Sequence, residues 1–339
     1  MNNSTQKKDI YQEITDRIIT ALEAGTVPWL KPWDNPEGNL GIPCNAVSGR
    51  YYQGINILLL WIAGAENGYR QCKWITARAA NKLGGYVRKG EKATIVASYC
   101  PIEREKCDDE GNPICDEDGN PEMEQFAILK RYPVFNIEQC DGLPKAMFDN
   151  TQERAGDSEL TQYQIYADIR KIIDGMSLTV DIVPSPEAFY QPKADKIVIP
   201  EMKQFHSEQD FYSVLLHEMT HATGHASRLN REGIASGKAK FGNKVYAFEE
   251  LIAEMGGAFL CAHLGFSQVP QNAAYIQSWL KILKEDNRAI LKASGFARKA
   301  CEYMLETLDV QKQYEHYYPE GRKPYGVASF NDAPLSFNI

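Results

Sequence analysis

Two histidines four residues apart, with a glutamate directly after the first, constrain this chain more than any other feature of its sequence. They are His217, Glu218 and His221 in the run HEMTH. Positions i and i+4 lie one turn apart on the same face of an α-helix, so both imidazoles can bind one Zn²⁺. Glu218 then points beside them and can take a proton from a water at the metal. The spacing predicts a helix over 208–224 that carries a catalytic zinc site, because a structural zinc site needs no general base.

A catalytic zinc usually takes a third protein ligand, and two spacings compete for it. A third histidine six residues after the motif would have to stand at Ser227. The alternative is a glutamate on the next predicted helix, over 246–264, where Glu250 is preferred to Glu249 and Glu254. Glu254 shares a face with Glu250 and is expected to hydrogen-bond a ligand histidine on the side away from the metal.

Two further side chains near the motif are candidates for contact with a substrate. His225 follows Gly224, where helical geometry ends, and is expected in a loop or on the substrate side rather than on the metal. Tyr246 opens the next predicted helix, and either residue is a candidate to stabilise the oxyanion of hydrolysis. The competing interpretation is a buried helix whose histidines only pack, and the second acidic helix further along the chain argues against it.

Length and pattern predict an α+β protein of two domains. The chain has 339 residues, enough for two domains of common size. Its first half alternates short helices, turns and strands, whereas the second half is mostly helical. Further helices are expected over 9–24, 161–175 and 271–310, the last broken near Gly295. The predicted parts are an N-terminal domain over 1–145, a linker over 146–160, a C-terminal domain over 161–310 and a tail over 311–339.

No stretch of this sequence reaches the roughly 20 apolar residues that cross a bilayer. Its start also has no apolar run typical of a signal peptide. We therefore expect a cytoplasmic protein with no membrane partner. The eight cysteines are scattered without a C-x-x-C pair, so they are expected to be reduced and mostly structural.

Longer runs of the sequence resemble a known family. YQPKADKIVIP, LLHEMTHATGHASRLNR and YAFEELIAEMGGAFLCAHLG resemble the zincin-like metallopeptidase domain of ArdC-type antirestriction proteins. In the first half, VPWLKPW, YYQGIN, KWITARAANKLGGYVRKGEKAT and FNIEQCDGLP are similar to the single-stranded-DNA-binding domain of the same proteins. The order of these motifs also matches, over nearly the whole of 7–300.

The resemblance implies a plasmid-type protein that protects incoming DNA from host restriction during conjugation. Matched motif by motif, His217, His221 and Glu250 would bind the metal, zinc or another divalent ion such as Mn²⁺, and Glu218 would be the general base. The substrate would be an unknown protein, a restriction component being one candidate. HEMTHA also looks like the start of SprT-type proteases, which cleave proteins crosslinked to DNA. A third candidate is a shield that coats single strands without catalysis, its metal structural or vestigial.

The distribution of charge bears on whether the first half binds DNA. The whole chain carries a formal net charge of −8, which argues against a nucleic-acid partner. However, the segment 103–124 alone holds ten acidic and two basic residues. Without that segment, residues 1–145 hold 15 basic and 10 acidic residues, so the rest of this half is basic. The acidic segment has two Gly-Asn-Pro turn signals and is predicted to be an exposed hairpin or loop insertion.

Aromatic and basic residues are interleaved in the same half, the pattern that single-strand binding requires. Bases stack on exposed rings at about 1–3 kcal/mol each, while cations neutralise phosphates. Trp61, inside an apolar run, is expected in the core. No major-groove motif is visible, so we expect binding without strong sequence preference. The residues predicted to contact single-stranded DNA are Trp29, Lys31, Trp33, Tyr52, Trp74, Arg88, Lys89 and Lys92.

Overall fold

The fold is seen in a computed structural model of the protein. It describes residues 9–30, 41–108, 110–116, 119–148, 159–238, 243–266 and 275–308. The predicted DNA contacts Lys31 and Trp33, most of the predicted linker over 146–160 and the predicted tail over 311–339 lie outside these residues.

The N-terminal unit is a four-stranded sheet flanked by helices. Helix α1 spans Ile10–Glu23 and buries Ile14, Ile18 and Leu22, which confirms the apolar stripe expected for this segment. The unit continues with β1 (Cys44–Asn45), α2 (Ile55–Asn67), β2 (Lys73–Ile75), α3 (Ala77–Lys82), β3 (Tyr86–Val87), β4 (Thr94–Glu105), β5 (Met123–Asn136) and β6 (Cys140–Asp141). Strands β1, β2, β5 and β4 form the sheet in that order, and β3 pairs with β6.

Strands β4 and β5 form one long antiparallel hairpin whose tip is the acidic segment. Near the tip, Asp108 Oδ1 accepts a hydrogen bond from the Asn112 backbone N–H at 2.8 Å. Asp116 and Asn120 repeat the same turn at 2.9 Å. Most side chains described at the tip are exposed, which confirms the predicted hairpin. The acidic charge of the N-terminal unit is therefore concentrated on a projection, away from its basic body.

The C-terminal unit packs a small sheet against helices. It comprises α4 (Glu159–Gly175), β7 (Thr179–Val183), β8 (Phe189–Gln191), β9 (Lys196–Pro200), α5 (Glu208–Ala222), α6 (Glu232–Ala235), α7 (Lys244–Leu264), α8 (Ile276–Glu285) and α9 (Ala289–Glu306). Strand β9 lies between β7, to which it is parallel, and β8, to which it is antiparallel. The helices predicted over 161–175, 208–224 and 246–264 are confirmed, with small shifts at their ends. In the described part of the chain, no helix is both long and apolar enough to cross a bilayer.

The helix predicted over 271–310 is two helices, and the expected break at Gly295 is wrong. Gly295 lies inside α9, whereas the break between α8 and α9 falls at Asp286. There the Asp286 carboxylate accepts a hydrogen bond from the Arg288 backbone N–H at 2.8 Å. The Asp286 carboxylate thus takes the place of the backbone carbonyl that would accept from the Arg288 N–H in a continuous helix, and the two helices separate at this point.

One buried apolar cluster runs through both units. It takes side chains of α1 and α2 from the N-terminal unit and of α5, α7, α8 and α9 from the C-terminal unit. Polar contacts cross the same boundary: Thr15 Oγ1 donates to the Asn287 carbonyl at 2.7 Å, and Lys284 Nζ lies 2.6 Å from the Glu23 carboxylate. The units are therefore joined through a common core as well as by the chain.

The outer edge of β4 is closed by a side chain of α2. Asn56 Nδ2 donates to the Ala97 carbonyl at 2.7 Å, and Asn56 Oδ1 accepts from the Ala97 N–H at 2.8 Å. An edge strand otherwise presents such groups unpaired. One amide side chain thus fixes α2 to the sheet and satisfies two backbone groups.

We expect Asn56→Leu to lower the free energy of unfolding by about 2 kcal/mol, because two part-buried backbone groups lose their partners while side-chain volume is kept. Asn67→Leu is the matched control, since the Asn67 amide donates along its own helix, to the Ala63 carbonyl at 2.8 Å. Urea unfolding followed by circular dichroism measures both variants. Equal stability of the two would contradict the edge-closing role of Asn56.

Candidate metal centre

Helix α5 presents the HEMTH motif to a cleft that it shares with α7 and β8. The helix starts where the Ser207 side chain accepts a hydrogen bond from the Asp210 N–H at 3.1 Å. His217, Glu218 and His221 are 2%, 7% and 7% exposed. The two imidazole centroids lie 5.0 Å apart. The helical spacing thus places both rings, together with Glu218, at the floor of one cleft.

Helix α7 brings Glu250 to the two histidines. Its Oε2 lies 3.5 Å from His217 Nε2, and its Oε1 lies 3.4 Å from His221 Nε2. One ligand atom from each residue lies within 4.8 Å of the other two. Two imidazole nitrogens and one carboxylate oxygen are a donor set of catalytic zinc sites that leave a position open. These three residues could therefore hold a metal ion.

The groups of this cluster shift one another's pKa values. Burial raises the pKa of Glu250, but the charges and hydrogen bonds of the two histidines outweigh it and hold that pKa below its usual range. Burial lowers the pKa of His221, but Glu250 and Glu249 outweigh it and hold that pKa well above its usual value. Glu250 is therefore a carboxylate near neutral pH, which is the form that binds a cation.

A second carboxylate, Glu249, supports His221 from the side away from Glu250. Glu249 Oε1 lies 3.4 Å from His221 Nδ1, while His221 Nε2 faces Glu250. The buried guanidinium of Arg231 binds this carboxylate through two hydrogen bonds. Arg231 Nε donates to Glu249 Oε2 at 3.1 Å, and Arg231 Nη2 donates to Glu249 Oε1 at 2.5 Å. Arg231 Nη2 also donates to the Thr220 carbonyl at 2.7 Å. A carboxylate on the second ring nitrogen sets the tautomer and orientation of a metal-binding histidine.

The spacing-based expectation of a hydrogen bond to a ligand histidine stays a prediction for Glu254. Glu254 lies within electrostatic range of His217. Burial, partly opposed by His217, raises the pKa of Glu254 to about 7, and the charge of Glu250 adds to the shift. Glu249 lies against the outer nitrogen of His221, and spacing alone could not indicate this because Glu249 and Arg231 meet only in the folded chain.

The cleft above the cluster has a volume of about 710 Å³. Its walls are α7 and the segment 185–192, which includes β8. Two phenols also line it: the Tyr246 hydroxyl lies within hydrogen-bonding reach of Glu250 and of Tyr275. Burial, with the charge of Glu250, holds the pKa of Tyr246 far above its usual value. Tyr246 is therefore a hydrogen-bond donor at the cleft. Tyr275 belongs to no sequence motif and was not predicted.

His225 lies past the end of α5. Its Nδ1 is 2.7 Å from Ser227 Oγ and 3.8 Å from the Asp195 carboxylate. The described residues that line the cleft include Tyr246 and do not include His225. Of the two predicted substrate-side residues, the structure therefore places Tyr246 at the cleft and His225 outside it.

Two aromatic residues predicted to stack on bases are buried. Trp29 and Trp74 are each 1% exposed. The ring of Trp29 packs against Trp279 at 5.3 Å between centroids, and that of Trp74 packs against Tyr69 at 5.9 Å. The expectation that these two rings are available to DNA is wrong, because the segments that carry them fold against apolar partners. Trp61 is buried, as predicted.

The other described candidates for DNA contact differ in their access to solvent. Tyr52 is half-buried, whereas Lys89 and Lys92 are exposed. The Arg88 guanidinium pairs with two carboxylates at 2.7 and 3.5 Å, so its charge is partly neutralised. Next to this turn, Tyr86 is 56% exposed, which makes it more accessible to a base than either buried tryptophan.

Fold and site together define a class of protein. Residues 167–295 match a family described as zincin-like metallopeptidase, and residues 8–135 match the N-terminal domain of anti-restriction factor ArdC. This is an α+β protein with a zincin-like metallopeptidase domain behind an ArdC N-terminal domain.

Solved structures show the family directly. The metal-free crystal structure of the antirestriction ArdC protein from the R388 plasmid is 39% identical, covers 89% of this chain and 98% of that chain, and gives a TM-score of 0.70. The Mn(II)-bound structure of the same protein is also 39% identical, covers 88% of this chain and 98% of that chain, and gives a TM-score of 0.67. The chain belongs to the ArdC family of antirestriction proteins.

Curated relatives include both short and long proteins. The uncharacterized protein y4eC of Sinorhizobium fredii (strain NBRC 101917 / NGR234) is 35% identical over 300 residues, which cover 87% of this chain and 91% of that protein. Two Escherichia coli proteins named DNA primase TraC are 36% and 34% identical over 89% and 91% of this chain. The chain spans only 20% and 28% of their lengths.

Metal affinity tests the ligand set. We expect His217→Ala and Glu250→Ala each to weaken binding of Zn²⁺ and Mn²⁺ by more than about 100-fold, because each removes a direct donor and even outer partners are worth about 10- to 100-fold. His225→Ala is the matched control, a histidine near the same helix end but outside the cleft, and it should bind as the wild type. Calorimetry on metal-stripped protein measures all three. Full binding by His217→Ala would contradict the assignment.

Proposed function

We propose that this protein is a cytoplasmic, metal-dependent peptidase that also binds single-stranded DNA and protects incoming conjugative DNA from restriction. The peptidase part is carried by one observation, the placement of His217, His221, Glu250 and Glu218 in one cleft. Membership of the ArdC antirestriction family supports the protective part. The substrate is a protein, and a restriction component is one candidate.

The two histidines and Glu250 would hold the ion, and zinc is proposed as the native metal. Mn²⁺ is the alternative, since an ArdC crystal structure is Mn(II)-bound and nitrogen and oxygen donors accept both ions. When bound, the ion supplies Lewis-acid chemistry: it polarises a peptide carbonyl and lowers the pKa of water. All other steps fall to side chains of the cleft.

Glu218 is the proposed general base. Its carboxylate accepts the proton of the attacking water and returns it to the nitrogen of the leaving amine. The Tyr246 hydroxyl lies within hydrogen-bonding reach of Glu250 in the free site, and during the reaction it turns the same proton to the oxygen on which charge develops. Strand β8 is an edge strand of the three-stranded sheet and lines the cleft through Phe189 and Tyr190. An extended substrate peptide can therefore pair with the free edge of β8.

We expect Glu218→Gln to slow peptide hydrolysis by about 100- to 10,000-fold without weakening metal binding, because the amide keeps the shape of the side chain but cannot accept the proton. Glu232→Gln is the control, since Glu232 is half exposed and lies outside the cleft. Cleavage of denatured casein by the metal-loaded protein is measured, with metal content determined in the same samples. Hydrolysis at the wild-type rate by Glu218→Gln would remove Glu218 from the mechanism.

A shield that coats single strands without catalysis is the second candidate, and the ArdC N-terminal domain is the observation that favours it. The same Glu218→Gln variant separates the two in a conjugation assay against a restricting recipient. Protection survives the substitution if coating suffices and is lost if hydrolysis is required. A SprT-like activity, cleavage of proteins held on DNA, would instead appear as hydrolysis that depends on added single strands.

For single-strand binding we propose the exposed turn over 88–92 and its neighbour Tyr86. Lys89 and Lys92 are exposed there, and Gly90 forms the turn with a φ of +94°. Exposed cations neutralise phosphates, and the ring of Tyr86 can stack on a base. These residues replace the buried Trp29 as the expected contact surface.

We expect Lys89→Ala combined with Lys92→Ala to weaken single-strand binding and to reduce the slope of log affinity against log salt by about 1.4, because each lost phosphate contact is worth about 0.7. Lys203→Ala is the control, since Lys203 is exposed on the C-terminal unit. Fluorescence anisotropy with a labelled oligonucleotide at several salt concentrations gives the slopes. An unchanged slope would place the phosphate contacts elsewhere.

A further inference from the structure

A row of four aromatic rings leads from the N-terminal unit to the metal centre. Trp29 lies edge-on to Trp279, with ring centroids 5.3 Å apart. Trp279 stacks on Tyr275 at 6.2 Å, and Tyr275 lies tilted against Tyr246 at 5.9 Å. The Tyr246 hydroxyl lies within hydrogen-bonding reach of Glu250. We call Trp29, Trp279, Tyr275 and Tyr246 the aromatic column.

The aromatic column is tightly held. Trp29 and Trp279 are each 1% exposed, and Trp279 Nε1 donates to the Ala247 carbonyl at 3.1 Å. Ala247 directly follows Tyr246 on α7, so the Trp279 indole is fixed to the turn that carries Tyr246. Trp29 also lies within interaction range of the Glu254 carboxylate. Trp29 of the N-terminal unit is thus linked to α7 twice, through Trp279 and through Glu254.

We propose that Trp29 is a positioning residue for the metal centre: through the aromatic column, the N-terminal unit holds the Tyr246 hydroxyl against the Glu250 carboxylate. Closely packed side chains transmit a displacement because few voids can absorb it. Without the Trp29 ring, Trp279 and Tyr275 gain room to tilt, and the hydrogen bond that orients Glu250 weakens. The inference rests on the metal site of the proposed function and does not require hydrolysis.

Trp61 offers a matched control within the same unit. It is also a buried tryptophan of the N-terminal unit that packs against α7, with its ring 6.0 Å from that of Phe259. Phe259 lies more than two turns beyond Glu250 on that helix and is no part of the aromatic column. General loosening between the units would affect both tryptophans alike, whereas a positioning role is confined to Trp29.

A double-mutant cycle on Mn²⁺ affinity, measured by calorimetry on the metal-stripped full chain, tests the proposal. Trp29→Leu and Tyr246→Phe are each expected to weaken binding about 10-fold, and the double variant also about 10-fold rather than about 100-fold. Trp61→Leu is expected to bind within about twofold of the wild type. Trp29→Phe, which keeps a ring in the column, is expected to recover most of the loss.

Additive losses in the cycle, or equal losses in Trp29→Leu and Trp61→Leu, would overturn the positioning role. If Trp29→Leu does not fold, Trp279→Phe takes its place, because it keeps a ring but removes the bond to Ala247. If the wild type binds Mn²⁺ but hydrolyses no peptide, the proposed peptidase activity is contradicted, whereas the double-mutant cycle on Mn²⁺ affinity still tests the positioning role of Trp29. A wild type that binds no Mn²⁺ would overturn both.

Discussion

Buried charge is the constraint around which this structure is arranged. The ionisable side chains at and below the cleft floor, each at most 7% exposed, include His217, Glu218, His221, Arg231, Glu249, Glu250 and Glu254. An unpaired charge in such a place costs several kcal/mol, so each needs an opposite charge or a hydrogen bond. The histidines lie against Glu250, and a buried guanidinium pairs with Glu249. With both histidines neutral, as metal ligands are, a divalent ion would add positive charge to a cluster of four buried carboxylates and one guanidinium, so metal binding and the packing of α5 on α7 stabilise each other.

Two glycines let the helices come close enough for these contacts. A Cβ on Gly256 would lie 2.5 Å from Thr220 Cγ2, and a Cβ on Gly224 would lie 2.9 Å from Arg231 Nη2. A side chain at Gly256 would push α7 away from α5, and one at Gly224 would displace the guanidinium that holds Glu249. Gly224 follows the histidine motif at the spacing of a three-histidine site. Its role here is instead to make room for Arg231.

Sequence reasoning is strongest where the chemistry depends on one helix. The spacing of His217 and His221 needs only the helical period of α5, whereas Glu250 reaches them from α7 through the packing of the two helices. Sequence reasoning is weakest where contacts join distant segments. No spacing rule connects Arg231 with Glu249, because their meeting depends on how the chain after α5 turns back beneath it. The expectation of an exposed Trp29 is wrong for the same reason: a proline-rich segment looks accessible in sequence, and only the tertiary fold places Trp279 against it.

The contact between Trp29 and Trp279 also decides how the two units should be regarded. Burying a large apolar side chain is worth about 1.5–3 kcal/mol, and domains are stable by only about 5–15 kcal/mol. The shared core contains many such side chains from both units, so the C-terminal unit alone would expose Trp279 and lose a considerable part of its stability. A DNA-binding module merely tethered to a peptidase would need no such core. Because the aromatic column ends at Glu250, one of the three residues that could hold a metal ion, the N-terminal unit forms part of the support of that candidate site.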